Sequence, residues 1–419
     1  MKYFLTMICA AILLISCDSD DECINTEIKE PAIYPKAERT VIVYISAENN
    51  LSPFATSDIN EMARGSIMMP ANTNLIAFVD KNDKNKPPYI LRMRNGEMET
   101  DTYYNNDTDF YASDPERMYE TLHWIMTRYP AETYGLVLWG HASGWVIEKD
   151  SISPSPAMNK PQRAYGVDYG TDNITGNGAK WMNIPSMAGA LGRLPHRLLF
   201  IFADCCNFQN AEVAYELRNV TDYIIASPAE IPNVGAPYDK VVPDMFDTSD
   251  DFYKKMVDDY HSMKTNAGEQ VPLSVVKTSG MEALAKATQE LTALLGQAGK
   301  YPYTENLIYY RHTKKYGDVK LMLDMNDIML RNISEEVYGR WKTVYDRTVI
   351  YKAMSKKWMT DGLVDFDFDM NEEKFGGMSM FVPLEIYDKK GYDFCETIQK
   401  MTWYYAAGVD KCYTGSIKN

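Results

Sequence analysis

Histidine and cysteine are scarce in this chain, five of the one and seven of the other among 419 residues. Four of the histidines, His123, His196, His261 and His312, stand at unrelated spacings, so no zinc-type pair is present and the sequence contains no metal motif. The cysteines are too few and too irregular for a disulfide framework. Cys395 with Cys412 is the one pairing left open; the adjacent Cys205 and Cys206 cannot bond to each other without strain. A P-loop, a dinucleotide-binding glycine fingerprint and a G-x-S-x-G elbow are all missing, which sets aside nucleotide chemistry and the serine-hydrolase route. Asp365, Asp367 and Asp369 alternate but lack the glycine and glutamate of a calcium loop, and read instead as the acidic face of an edge strand. Positive charge is short as well: 43 Lys and Arg against 58 Asp and Glu give a net charge of −15. No basic run offsets it, so neither nucleic acid nor an anionic lipid surface is the expected partner.

What the chain does have is 45% hydrophobic residues, enough for a sizeable core. At the N-terminus, Lys2 precedes an apolar run from Tyr3 to Ile15, then Ser16 and Cys17. That run is too short to span a membrane and reads as a signal peptide over residues 1–16. Leu14 to Cys17 resemble the bacterial lipobox, which predicts lipidation at Cys17. Residues 17–38, which include Cys23, read as a flexible tether. Their acidic stretch SDDE resembles the export signal of surface lipoproteins in Bacteroidetes-type bacteria. The expectation is an exported lipoprotein of the outer membrane, facing outward and touching the membrane only through its lipid.

From Arg39 onward apolar strands alternate with helical patterns. VIVYIS (41–46), NLIAFVD (74–80), LVLWG (136–140), RLLFIFA (197–203) and DYIIAS (222–227) are the strand candidates, with a hairpin arm at 89–96. Asp114 followed by Pro115 opens a helix that stops at Pro130. Short helices are expected from Pro185 to Leu194 and from Phe208 to Arg218. The long polar stretch 146–180 reads as a loop. This order predicts an α/β fold with a mainly parallel sheet covered on both faces. Beyond residue 250 the pattern turns more helical, with a capping box of Ser279 and Glu282 and a late strand pair at 364–370 and 378–383. The expected division is a core over 39–250 and a C-terminal α+β region over 251–419.

Two stretches carry the chemistry. LVLWGHASGW puts His141 just past the carboxyl end of an apolar strand, and ADCCNFQNAEVAYEL puts Cys205 and Cys206 in the same position on another, 65 residues later. Open α/β sheets build their sites at that edge. A cysteine nucleophile needs an accessible sulfur and an imidazole to protonate the leaving amine, and neighbouring strands would bring the two together.

The two motifs resemble those of the clostripain-like cysteine peptidases, a family of the caspase-fold clan. LVLWGHASGW is similar to that family's W-x-H-G-x-G-W, and FADCCNFQNAEVAYEL to its D-A-C-L-M-x-x-x-E-V-A-Y-E-L. TVIVYISAENNL, YPAETYG, ASPAEIPNVGAPY and GGMSMFVP extend the likeness in order over most of residues 39–383.

The resemblance implies a caspase-like α/β/α sandwich and hydrolysis of peptide bonds through a Cys-His dyad and an acyl-enzyme. Its register makes His141 the catalytic histidine and Cys206 the nucleophile. Backbone N–H groups of Ala142 and Cys206 would hold the oxyanion, and Asp204 would line an acidic pocket for Arg or Lys. Glu230 is a further carboxylate candidate. Lys149, Lys160 and Arg163 offer cleavage sites for internal maturation. No cofactor is required, although some relatives depend on calcium.

Three positions depart from the family pattern. Ala142 replaces a glycine and resists a positive φ, Cys205 replaces an alanine, and Ala47 to Asn50 replace the usual D-N-N turn. These departures support a rival reading, a catalytically impaired surface lipoprotein of the same fold that binds protein or glycan.

Overall fold

Alternating apolar residues give the chain its layers. In the strand β1 (Ala37–Ala47), Val41, Val43 and Ile45 point to one side and Ile42 and Tyr44 to the other, and all five are fully buried. A strand buried on both faces has to lie inside a sheet covered by helices, and each such side chain contributes about 1.5–3 kcal/mol on leaving water. The protein is described here from a computed structural model, covering residues 33–83, 86–104, 111–146, 164–170, 179–263, 270–297, 306–313, 319–360, 363–364 and 371–411. Cys17, Cys23, the signal and most of the tether, Lys149, Lys160, Arg163, Cys412 and the aspartates of 365–369 lie outside these residues.

After β1 come the helix α1 (Ser52–Gly65), β2 (Thr73–Lys81), β3 (Tyr89–Arg94), β4 (Glu97–Tyr103), α2 (Pro115–Arg128) and β5 (Ala131–Gly140). Then follow β6 (Tyr165–Asp168), β7 (Lys180–Met182), α3 (Ile184–Leu191), β8 (Leu198–Asp204), α4 (Ala211–Glu216) and β9 (Thr221–Ala226). The remainder begins with α5 (Tyr238–Asp244), α6 (Phe252–Ser262), β10 (Leu273–Lys277), α7 (Met281–Gln297), β11 (Tyr309–Thr313) and β12 (Val319–Asp324). It ends with α8 (Met325–Asn332), α9 (Glu335–Thr348), β13 (Val349–Ala353), β14 (Met359–Thr360), β15 (Leu363–Val364) and β16 (Ser379–Met380), followed by short helices.

Nine strands form the central sheet in the order β13-β10-β9-β8-β5-β1-β2-β3-β4. Its middle, β9-β8-β5-β1-β2, is parallel, and antiparallel pairs close both ends. Residues 33–419 make one compact unit. The region after residue 250 is not separate from the sheet, because β10 and β13 extend it by two strands. Glu212 on α4 binds that region further, accepting the N–H of Phe381 at 2.7 Å.

The α2 helix begins as expected, with Asp114 accepting from the N–H groups of Glu116 and Arg117. Other local expectations fail. The stretch 146–180 is not all loop, since it contains β6, which pairs with β7 starting at its far end. Glu282 is drawn away from a capping box by Tyr215 and Arg218, whose donors reach its carboxylate at 2.9 and 2.6 Å. The strand at 378–383 shrinks to β16 and pairs with β12, while Val364 belongs to the β14–β15 pair. Cys395 is a free, buried thiol among the described residues, and its suggested partner Cys412 lies outside them.

Candidate active site

Sheet register brings the two motifs together. The strands β5 and β8 are parallel neighbours, paired from Gly135 with Phe200 up to Trp139 with Asp204. His141 and Cys206 each follow the last pair by two residues, so they leave the sheet side by side at its carboxyl edge. The chain also changes direction here, since β1 and β2 run to one side and β5, β8 and β9 to the other, which is where open sheets leave a crevice.

Glycines shape the loop that carries the histidine. Gly140 has φ +146°, and a Cβ there would meet the carbonyl oxygen of Ser46 at 2.8 Å. Gly144 has φ +61° and lies directly against Asn207 and Asn210 of the cysteine loop, where no side chain fits. Ala142, in contrast, does not adopt a positive φ. It pairs with Tyr165 in an antiparallel bridge flanked by bonds from Gly166 N–H to the His141 carbonyl (2.8 Å) and from Ser143 N–H to the Ala164 carbonyl (3.0 Å). That bridge turns the N–H of Ala142 away from β6. Alanine is accommodated here without the strain that the sequence pattern suggested.

The ring of His141 is held from β1's side of the crevice. Its Nε2 lies 2.8 Å from Oδ1 of Asn50. An amide oxygen only accepts, so Nε2 carries the proton and Nδ1 is the basic nitrogen of the neutral ring. Asn49 fixes the turn beneath it, donating to the Val167 carbonyl at 2.6 Å and accepting from Leu51 N–H at 2.8 Å. Of the other histidines, His123 and His196 pack on Tyr119 and Tyr134, and Nδ1 of His261 lies 2.8 Å from the carbonyl of Val271.

Cys205 and Cys206 face opposite ways. Cys205 is fully buried in the core, which keeps it from solvent and oxidants. Cys206 faces a small cleft of about 30 Å³, lined with His141, Asp204 and the segment Ile231, Pro232, Asn233 and Gly235. That segment lies over the sulfur, with Ile231 N–H pointing at Sγ from 3.5 Å. Burial and the nearby Glu230 push the Cys206 thiol up to about 12, so the sulfur keeps its proton at neutral pH. A larger cleft, about 360 Å³, lies at Asp346, Tyr351, Lys352 and Glu372 and contains neither His141 nor Cys206.

The cleft floor is acidic. Asp204 accepts from Ala236 N–H (3.0 Å), Tyr238 OH (2.7 Å) and Tyr260 OH (3.0 Å), and burial raises its pKa. Asp58 of α1 accepts from Trp139 Nε1–H at 2.7 Å. Burial, then repulsion by Asp204, pushes Asp58 up to about 8. Both carboxylates crowd Gly235, whose absent side chain would lie 2.7 Å from Asp204 and 2.9 Å from Asp58. Reading the sequence missed Asp58 and the role of Asn50. The only trace of Asn50's role was the altered turn at 47–50, and α1 gave no sign that Asp58 reaches the site.

The model of the clostripain family matches residues 43–373. Among solved structures, a secreted cysteine protease from Bacteroides thetaiotaomicron, bound to an irreversible peptide inhibitor, is 28% identical with a TM-score of 0.71, covering 89% of this chain and 99% of its own. An inactive zymogen protease from Parabacteroides distasonis is 25% identical with a TM-score of 0.69, covering 90% and 99%. A second secreted cysteine protease from Bacteroides thetaiotaomicron, at 18% identity and a TM-score of 0.69, shares the fold. No curated protein matches. The matched span takes in the sheet, the two motifs and most of the C-terminal strands, and on that basis the chain belongs to the clostripain family of cysteine peptidases.

Proposed function

We propose that this protein is an endopeptidase that cuts after Arg or Lys, with Cys206 as nucleophile and His141 as its acid–base partner. The observation that carries the reading is the β5–β8 register, which sets these two side chains at one cleft over two buried carboxylates. The Cys206 thiol passes its proton to Nδ1 of His141 as Sγ attacks the scissile carbonyl, and the imidazolium so formed gives that proton to the leaving amine. Water then enters, loses a proton to His141 and hydrolyses the thioester. The N–H groups of Ala142 and Cys206 receive the oxyanion; one such donor is typically worth about 100- to 1,000-fold in rate. Asp58 and Asp204 supply the negative charge that a guanidinium or ammonium seeks.

The closed cleft and protonated thiol describe a resting form. About 30 Å³ holds a water or two and no arginine side chain. The segment 231–235 has to move aside, which would expose Sγ, lower its pKa and open the acidic floor. Cleavage at Lys149, Lys160 or Arg163 would release that form. The protein would act from a lipid on Cys17 at the cell surface, on protein or peptide substrates.

The test is turnover of fluorogenic peptides ending in Arg or Lys against Asp or Leu, by the purified chain and by Cys206→Ala and Cys205→Ala. Activity on basic peptides that vanishes in Cys206→Ala and survives in Cys205→Ala is the expected result. Absence of turnover on every peptide, together with no labelling of Cys206 by a peptide electrophile, would favour the rival binding lipoprotein.

A further inference from the structure

A cationic nitrogen near Cys206 is buried without an acceptor. Arg311 stands on β11, opposite Leu321 of β12. Its Nη1 is shut off from water and has no hydrogen-bond partner among the described residues. A guanidinium keeps its charge at any ordinary pH and can only donate, so a donor buried in this way is a standing cost until an acceptor arrives. The surrounding chain brings β11 to the flank of the cleft. The carbonyl of Tyr309, two residues earlier, accepts from Trp358 Nε1–H at 3.2 Å, and the next residue, Met359, pairs with Glu230 in an antiparallel bridge. Glu230 precedes Ile231, whose N–H points at Cys206 Sγ. Arg311 does not line the closed cleft itself. Its charge nonetheless reaches the sulfur, where it favours the thiolate against burial, the larger influence, and against Glu230 and Asp204.

We propose that Arg311 binds a carboxylate of the substrate, so that the preferred peptide carries an Asp or Glu beside the basic residue at the cut bond. The arginine fork matches a carboxylate through two parallel N–H···O bonds, which is the partner its buried nitrogen lacks. Charge of both signs then surrounds one sulfur: Asp58 and Asp204 in the floor for a cation, and Arg311 on the flank for an anion. A peptide with only basic residues leaves Arg311 unpaired and is repelled by it. One with an acid next to the base satisfies both groups. The displacement of 231–235 that substrate entry requires begins at the residue after Glu230, and so opens the flank that Arg311 occupies. The choice of peptide rests on the catalytic reading; the anion site does not.

Two measurements test this. The first compares kcat/KM for peptides cut after Arg that differ only in Glu against Gln, placed just before the arginine or just after it. The Glu peptide should be preferred about 10- to 100-fold at one of these places. Arg311→Met should remove that preference while leaving the choice of Arg over Leu at the cut intact. An equal loss on the Glu and Gln peptides would mean that Arg311 meets only the peptide backbone, and would overturn the proposal. The second measurement needs no turnover: alkylation of Cys206 by iodoacetate and by iodoacetamide, read at the Cys206 peptide by mass spectrometry. The protonation state of the sulfur affects both reagents alike, so the ratio of their rates reports the charge beside it. That ratio should fall several-fold in Arg311→Met and persist in Arg311→Lys, which keeps the charge; Arg311→Gln gives the same comparison should Arg311→Met not fold. A ratio unchanged by loss of the charge would overturn the anion site whether or not peptides are cut. A lowered ratio without turnover of any peptide would uphold the anion site and count against the peptidase reading instead.

Discussion

Asp58→Asn separates the cost of the acidic floor from its use. The native carboxyl titrates at about 8, against 3.8 for an unperturbed aspartate, with burial the larger cause and Asp204 the next. That difference is about 4 units at about 1.36 kcal/mol each, on the order of 5 kcal/mol. Because the folded pKa is the raised one, the native state binds the proton more tightly than the unfolded chain. The stability tied to it is complete below about pH 4 and is lost as pH rises to about 8. Asparagine has no proton to lose and still offers an oxygen to Trp139 Nε1–H. The stability gained by the variant should therefore be about 1.6 kcal/mol at pH 5 and approach about 5 kcal/mol at pH 8 and above. Urea unfolding of both proteins at pH 5, 6.5, 8 and 9 measures it. The variant should pay for this in kcat/KM on Arg and Lys peptides, most of all above pH 8 where native Asp58 is charged. A stability difference that stays flat with pH, or a variant less stable than the native protein at pH 8, would refute the reasoning.

Two other substitutions probe the loops. Asn50→Ala removes the acceptor of His141 Nε2–H at an exposed position; kcat on a basic peptide should fall about 10- to 100-fold, with unfolding free energy within about 0.5 kcal/mol of native. Gly144→Ala puts a methyl group at φ +61° against Asn207 and Asn210. It should destabilise the chain by about 2–4 kcal/mol in urea unfolding, with the β5–β8 edge affected first in hydrogen exchange.

Local pattern made much of the fold legible. Strands such as Val41–Ser46 and Leu198–Ala203 are apolar without interruption, and only a sheet covered on both faces buries them. The Asp114–Pro115 start of α2 is likewise a purely local matter of an acceptor side chain and a preset φ. His141 and Cys206 stood out because each follows such a strand, and because the residues around them carry a family pattern. Where a residue's partner lay far along the chain, the reading failed. Glu282 suits a capping box by spacing, but Tyr215 and Arg218 claim it from 64 or more residues away. The 378–383 stretch has strand character, and the partner it has among the described residues is β12, far back along the chain.

The site divides along the same line. The sequence by itself determined that a histidine and a cysteine each end a buried strand, and that Ala142 stands where glycine is usual. Only the tertiary structure decided that β5 and β8 are adjacent and in register, that Ala142 escapes positive φ, and that Cys205 faces the core. It alone brought Asp58 to Asp204 and gathered the buried carboxylates of Glu48, Asp80 and Asp168, which stand at the ends of β1, β2 and β6. These groups come from segments 32 to 146 residues apart, and no spacing rule connects them. Their nearness is produced by parallel pairing, which lines up the carboxyl ends of strands whatever the length of chain between them.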